Sequence, residues 1–174
     1  MGKAKQLLEI NGATMLQRVA DAAISSRLAA VYCVIGCEAA AVRASLQGRS
    51  VTYVENAAYA SGLSTSLRAG LAQLPADAQA ALFLLADQPG VTVDLIDALV
   101  AAATEDAIVA PIVDGRRANP VLFGKGWFHE LANVTGDSGG RSVIEAHPEA
   151  LILVPTDADL RDVDTPADLR NLTG

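Results

Sequence analysis

Short aliphatic runs alternate along this chain with stretches in which apolar residues recur at every third or fourth position. The runs AVYCVIG (30–36), VTYVE (51–55), ALFLLA (81–86) and AIVAPIV (107–113) are apolar nearly throughout and rich in Val, Ile and Leu. Unbroken hydrophobicity over so few residues predicts strands buried on both faces, as in a parallel sheet. Between them, residues 14–26 place Met15, Leu16, Val19, Ala22 and Ala23 on one helical stripe, with Thr14 as N-cap. Residues 38–46, 64–74 and 92–103 read likewise, and Thr92 caps the last, whose stripe is Leu95, Ile96, Leu99 and Val100. Strand alternating with helix predicts an α/β fold, a three-layer α/β/α sandwich with right-handed crossovers around a mostly parallel sheet.

The second half changes character. DGRRANPVLFGKG (114–126) is rich in glycine around a short extended run, and 114–147 reads as an excursion from the sheet, a hairpin arm or lid. Residues 127–134 and 139–147 are expected to form short helices, LILVP (151–155) a strand, and TPADLRNL (165–172) a closing helix capped by Thr165. No repeat, low-complexity tract or linker interrupts the pattern, so 1–174 is expected to be one domain.

Composition narrows the function. The net charge is −7 with no basic stripe, which argues against a general nucleic-acid binder. No apolar run approaches the ~18 residues needed to cross a bilayer, and MGKAKQLLEI lacks a signal-peptide core, so the expected location is cytoplasmic and no membrane partner is expected. Cys33 and Cys37 have no neighbouring His or Cys to complete a zinc site, and Cys33 reads as a small hydrophobe on a strand.

Four stretches carry candidate chemistry. ALFLLADQPGVT ends an apolar strand in Asp87, at the strand end where ligands of open α/β sheets bind. That carboxylate either holds a hard cation on a nucleotide or caps the following turn. LRDVDTPADL carries Asp162 and Asp164, one of which joins Asp87 on a shared ion unless both serve helix capping. ENAAYASGLSTSLRAGL sets Gly62 before a helix that opens with Ser64, Thr65 and Ser66; its free N–H groups suit a polar ligand or are simply capped. TGDSGGRSVIEAHP offers glycines for close backbone approach, with Asp137 and Arg141 beside them, for a phosphate or pterin or for a structural turn. His147 reads as a charge at a helix C-terminus, and His129 as a surface residue without a role. There is no GxGxxG, no P-loop and no GxSxG elbow.

In their order and spacing, MGKAKQLLEINGATMLQRV, GLSTSLRAGL, LLADQP, NPVLF, GDSGGRS and DVDTPADL resemble the MobA-like nucleotidyltransferase family along nearly the whole chain. GLSTSLRAGL with LADQP looks like the branch of molybdopterin cytidylyltransferases. The resemblance implies a Rossmann-like nucleotide-binding sheet with its site at the strand ends. It implies that Lys5 contacts the triphosphate, that Asp87 binds Mg²⁺, and that Asp164 or Asp162 is the second acidic position. Gly62, Ser64 and Ser66 match the segment near the base. Asn119, Pro120, Asp137 and Arg141 fall on the acceptor side, where Ala118 and Asn119 depart from the family's usual Gly-His-Pro.

The resemblance further implies transfer of a cytidylyl group from CTP to molybdopterin with release of pyrophosphate, and expected partners of CTP, a molybdopterin-type molecule and a molybdenum hydroxylase. Rival readings are a related transferase using GTP or another phosphate acceptor, and a non-catalytic molybdenum-cofactor accessory protein. Family members begin with an apolar strand and a loop of the form L-A-A-G-x-S-x-R-M-G, whereas this sequence starts at the final Met-Gly. The expected sheet therefore lacks its N-terminal strand, and with it unpaired strand edges are expected.

Overall fold

A computed structural model describes residues 5–137 and 139–163. A 3-10 turn (Lys5–Leu7) leads into a hairpin of β1 (Glu9–Ile10) and β2 (Ala13–Thr14). Its Asn11-Gly12 turn has φ of 51° and 81°, the left-handed pair that Asn-Gly adopts most readily. Helix α1 (Met15–Ser25) starts in a capping box: the Thr14 hydroxyl accepts from Gln17 N, and the Gln17 amide oxygen accepts from Thr14 N. There follow β3 (Tyr32–Ile35), α2 (Ala39–Ser45), β4 (Thr52–Glu55), a 3-10 turn (Tyr59–Ser61) and α3 (Leu63–Leu71). Then come β5 (Ala80–Phe83), α4 (Val93–Ala101), β6 (Ile108–Val113), β7 (Arg116–Arg117), β8 (Val121–Gly124), α5 (Phe128–Leu131), α6 (Arg141–Ala146) and β9 (Leu151–Pro155). Thr92 caps α4 as expected, its hydroxyl accepting from Leu95 N. The expected helix at 165–172 and Asp164 lie outside the described residues.

The expected α/β sandwich is present. Val109 and Leu122 turn to the face covered by α1 and α4, where Ala23, Leu95, Ile96 and Leu99 are buried. Ile108, Ala110, Val121 and Phe123 turn to the other face, against Leu67 of α3, Leu131 of α5 and Val143 and Ile144 of α6. Alternate strand residues thus feed two cores, which is why the runs read as apolar on both sides.

One expectation needs correcting. The 114–147 stretch is not wholly an excursion: β8 lies inside the sheet, antiparallel to both β5 and β6, and all four of its residues are buried. Its own pattern explains this, because Leu122 serves one core while Val121 and Phe123 serve the other. The sheet is mixed as a result, with β9 parallel to β6 beyond it and β7 turning back on the end of β6.

The sheet is also broken. β3 and β4 form a parallel pair of their own, and β5 begins the larger sheet. Among the described residues no strand pairs with the second edge of β3 or of β5. Between these edges runs a groove of about 1150 Å³, walled by Cys33 and Val34 on one side and Leu82 and Leu84 on the other, with Val19 and Leu67 above and below. It lies where a central strand would close the sheet. Cys33 is on β3 as expected, and burial pushes its thiol above the ordinary cysteine value.

Candidate active site

Asp87 sits in the turn just beyond β5, half-buried. Three contacts stitch the segment 159–163 onto this turn. The Val163 N–H donates to the Asp87 carbonyl at 3.1 Å. The Gln88 side-chain amide donates to Asp162 Oδ1 at 2.7 Å. Gly90 has no Cβ, and the Asp159 carbonyl occupies the place where one would stand, so only glycine permits this approach. Val163 is buried with Ile10 and Met15, which draws the N-terminal hairpin to the same place. Of the two acidic candidates in LRDVD, the described one, Asp162, is thereby placed beside the Asp87 turn. Asp159 is engaged elsewhere: the Arg161 guanidinium hydrogen-bonds it and holds its carboxyl below the usual aspartate value.

A second candidate segment is the start of α3. Gly62 adopts φ 109°, and Leu63, Ser64 and Thr65 follow with their N–H groups already satisfied. Leu63 N donates to Asp137 Oδ1 at 3.3 Å, Ser64 N to the Gly136 carbonyl at 3.1 Å, and Thr65 N to the Gly62 carbonyl at 3.1 Å. The structure therefore corrects the idea that free N–H groups await a ligand here: the 135–137 loop caps the helix. It also gives Asp137, expected on the acceptor side, a capping role. The same contacts bring the Gly62–Ser66 segment and the loop of the expected acceptor side into direct touch.

Asn56, at the end of β4, anchors this segment from beneath. Its Nδ2 donates to Thr65 Oγ1 at 2.9 Å and to Ser66 Oγ at 3.0 Å, and its Oδ1 accepts from Ala58 N at 3.0 Å. Thr65 Oγ1 in turn donates to the Gly62 or Ala58 carbonyl, 2.8 and 3.1 Å away. Ser64 is 1% exposed, and its hydroxyl has no hydrogen-bond partner. Asn56 and Gln88 are given no role by the sequence; the available signal was a polar side chain at, or two residues beyond, the end of a strand run.

The remaining candidates are spread more widely. Lys5 belongs to the opening 3-10 turn, half-buried against α1. Asn119 is half-buried at the groove mouth and Pro120 is buried at the entry to β8. Arg141 has 71% of its side chain exposed, is paired with Glu145 one turn along α6, and is among the residues that line the groove. Arg68 reaches the Val134 carbonyl at 3.3 Å and supports the loop after α5. His147 follows α6 and packs against the Trp127 ring, with Nε2 3.0 Å from Glu130.

Among the described residues no group of three His, Cys, Asp or Glu side chains converges on one point to cage an ion. Two carboxylate-bearing segments, hard oxygen donors brought together by the stitching above, do fit a cation that arrives with a nucleotide, because Mg²⁺ and similar ions take one or two carboxylates and complete their shell with phosphate and water. No helix among the described residues is long and apolar enough to cross a membrane.

The chain is similar in sequence and fold to known proteins. The purine catabolism protein PucB of Bacillus subtilis (strain 168) is 33% identical over 88 residues, 49% of this chain and 42% of PucB, so the match spans less than half of that relative. Of solved structures, the Mycobacterium tuberculosis Rv0371c homologue from Mycobacterium sp. strain JC1 has a TM-score of 0.84 at 27% identity, covering 99% of this chain and 88% of its own. Rv0371c from Mycobacterium tuberculosis H37Rv, in complex with manganese, has a TM-score of 0.81 at 28% identity, covering 99% and 92%. The sequence profile of the MobA-like NTP transferase domain matches residues 1–151, from the opening turn through the Asp87 strand end to β9, and the chain belongs to that family.

Proposed function

We propose that this chain is a metal-dependent nucleotidyltransferase that moves a cytidylyl group from CTP to the terminal phosphate of molybdopterin. The observation that carries the reading is the stitching of Asp162 to the Asp87 turn beyond the carboxyl end of β5. One oxygen of the acceptor phosphate attacks the α-phosphorus of CTP, the bond to the β-phosphate oxygen breaks, and pyrophosphate leaves. A phosphate monoester has its second pKa near 6, so the attacking oxygen needs no strong general base. This suits a sequence that offers no His or Cys as a base. Mg²⁺ or Mn²⁺, when bound by Asp87 and Asp162 or Asp164, supplies neutralisation of phosphate charge. The protein's own part is to hold the reactants in line and keep that charge in place.

In this reading Lys5 offsets charge on the leaving pyrophosphate, and Gly62, Ser64 and Ser66 border the base. Asn119 and Pro120 border the acceptor. Cytosine over guanine rests on the likeness of GLSTSLRAGL and LADQP to the cytidylyltransferase branch. The manganese complex of Rv0371c supports a divalent ion, since that relative shares the fold over 99% of this chain.

The test is pyrophosphate release with molybdopterin and CTP, GTP or ATP in Mg²⁺ or Mn²⁺. CTP is expected to be preferred, and Asp87→Asn to lower turnover by at least about 100-fold, the scale of losing a central charge-stabilising group. Turnover of Asp87→Asn within a few-fold of the parent overturns the assignment. A preference for GTP moves the protein to the guanylyl branch.

A further inference from the structure

We propose that Gln88 is a positioning residue whose side-chain amide aims the Asp162 carboxylate at the divalent cation shared with Asp87. The inference rests on the cation reading above and names a residue that reading does not use.

Gln88 is 4% exposed, in a turn between an aliphatic strand and an apolar helix. Its backbone groups are spent on that turn: its N–H donates to the Leu85 carbonyl, and its carbonyl accepts from Val91 N. Among the described residues its side chain makes one bond, Nε2 to Asp162 Oδ1 at 2.7 Å, across 74 residues. The other end, Oε1, is buried with no hydrogen-bond partner. A carboxylate only accepts, so the amide must face it with nitrogen and the orphan must be the oxygen. Packing does not account for this arrangement. Met or Leu would fill similar space without a stranded carbonyl, and a buried polar atom left unpaired works against folding.

What the bond does accomplish is local to Asp162. The main chain there is pinned by buried Leu160 and Val163 and by the Val163–Asp87 backbone bond. The Asp162 side chain is exposed and would otherwise sample its staggered rotamers. Gln88 selects one. A carboxylate accepts about four hydrogen bonds, so one bond to Oδ1 leaves lone pairs for a cation. Outer-shell groups that orient ligating carboxylates change metal affinity by roughly 10–100-fold when removed.

The experiment titrates Mn²⁺ into the full chain, follows the loss of the free-ion EPR signal, and records the melting temperature of each variant. Gln88→Met is expected to melt at or above the parent while binding Mn²⁺ about 10-fold more weakly. Asp162→Asn is expected to weaken binding similarly, and the double variant to lose nothing further, because Gln88 acts through Asp162. Gln88→Asn, which keeps an amide one methylene short of Asp162, must weaken Mn²⁺ in the same way. Parental affinity in Gln88→Met or Gln88→Asn overturns the proposal, as does a Gln88→Met loss that adds in full to that of Asp162→Asn. If Asp87→Asn itself binds Mn²⁺ as tightly as the parent, the cation site falls and the proposal with it. Weak binding in Asp87→Asn with unchanged Gln88→Met overturns the role of Gln88 alone.

Discussion

Asn56 Nδ2 lies 2.9 Å from Thr65 Oγ1, and this buried bond ties the end of β4 to the first turn of α3. The same amide reaches Ser66, so one side chain fixes the segment that borders the nucleotide in the proposed reaction. Asn56→Leu strands the Thr65 and Ser66 hydroxyls of their donor and frees Ala58 N. It is expected to cost about 1–3 kcal/mol of stability, the usual penalty for unpaired buried polar groups, and to raise KM for nucleotide more than it lowers kcat. Urea unfolding with steady-state kinetics checks both; unchanged KM would detach Asn56 from the site.

Gly62 allows no side chain. Its φ is 109°, and a Cβ there would stand 2.7 Å from Asp137 Oδ1 and 2.8 Å from the Gly136 carbonyl. Gly62→Ala therefore strains the backbone and pushes the 135–137 loop off the helix start. A loss of at least about 1 kcal/mol is expected, since alanine at positive φ costs more than glycine's flexibility returns. Thermal melts of Gly62→Ala and Asp137→Ala measure it. Asp137→Ala, which removes a cap, should cost roughly 0.5–2 kcal/mol.

Adding an apolar strand and a glycine-rich loop of the family's form ahead of residue 1 is expected to fill the groove between β3 and β5, joining both open sheet edges. Each backbone N–H given to a phosphate oxygen is worth roughly 1.5–3 kcal/mol where water is excluded. Two or three of them amount to several powers of ten in affinity at about 1.4 kcal/mol per tenfold. Calorimetry with CTP should show much tighter binding in the extended chain. Cys33 lines the groove and gives an independent readout. It should react with thiol reagents in the shorter form and be protected in the longer one, while exposed Cys37 reacts in both. Equal affinity and equal labelling would place the phosphates elsewhere.

The acid limb of stability should trace to two ion pairs. The Arg49 guanidinium hydrogen-bonds Asp21 and holds its carboxyl below the ordinary value of 3.8, and Arg161 does the same to Asp159. A carboxyl depressed in the folded state stabilises fully above its unfolded pKa and loses that contribution as pH falls through the folded one. Stability from these pairs is therefore flat at neutral pH and declines below about pH 4. Both pairs are largely exposed, so each is worth at most about 1 kcal/mol. Asp21→Asn should shift the urea midpoint slightly at pH 7 and make the decline shallower. An unchanged acid profile would show the pair to be energetically silent.

Much of this protein was written in local pattern. Thr14 and Thr92 cap α1 and α4 as the sequence indicates, because a cap needs only residues three positions apart. The runs at 30–36, 51–55, 107–113 and 151–155 contain β3, β4, β6 and β9; the reason is plainest in β6, where residues buried on both faces must be apolar throughout. Asp87 stood out for the same reason, as a charge that ends an aliphatic run. What the chain alone did not determine depends on pairs far apart in sequence. VLF looked like part of an arm until β8 was seen pairing with β5 and β6, and no local signal records which strands are neighbours. The helix start at Gly62 looked open to a ligand, and only folding brings Asp137 across 74 residues to close it. Asp162 stood out in the sequence as a candidate carboxylate, but its link to Gln88 did not; their 2.7 Å bond exists because Val163 and Gly90 let two distant segments touch. Periodicity encodes which face of an element is buried, whereas the partner that meets that face is decided by the packing of the whole chain.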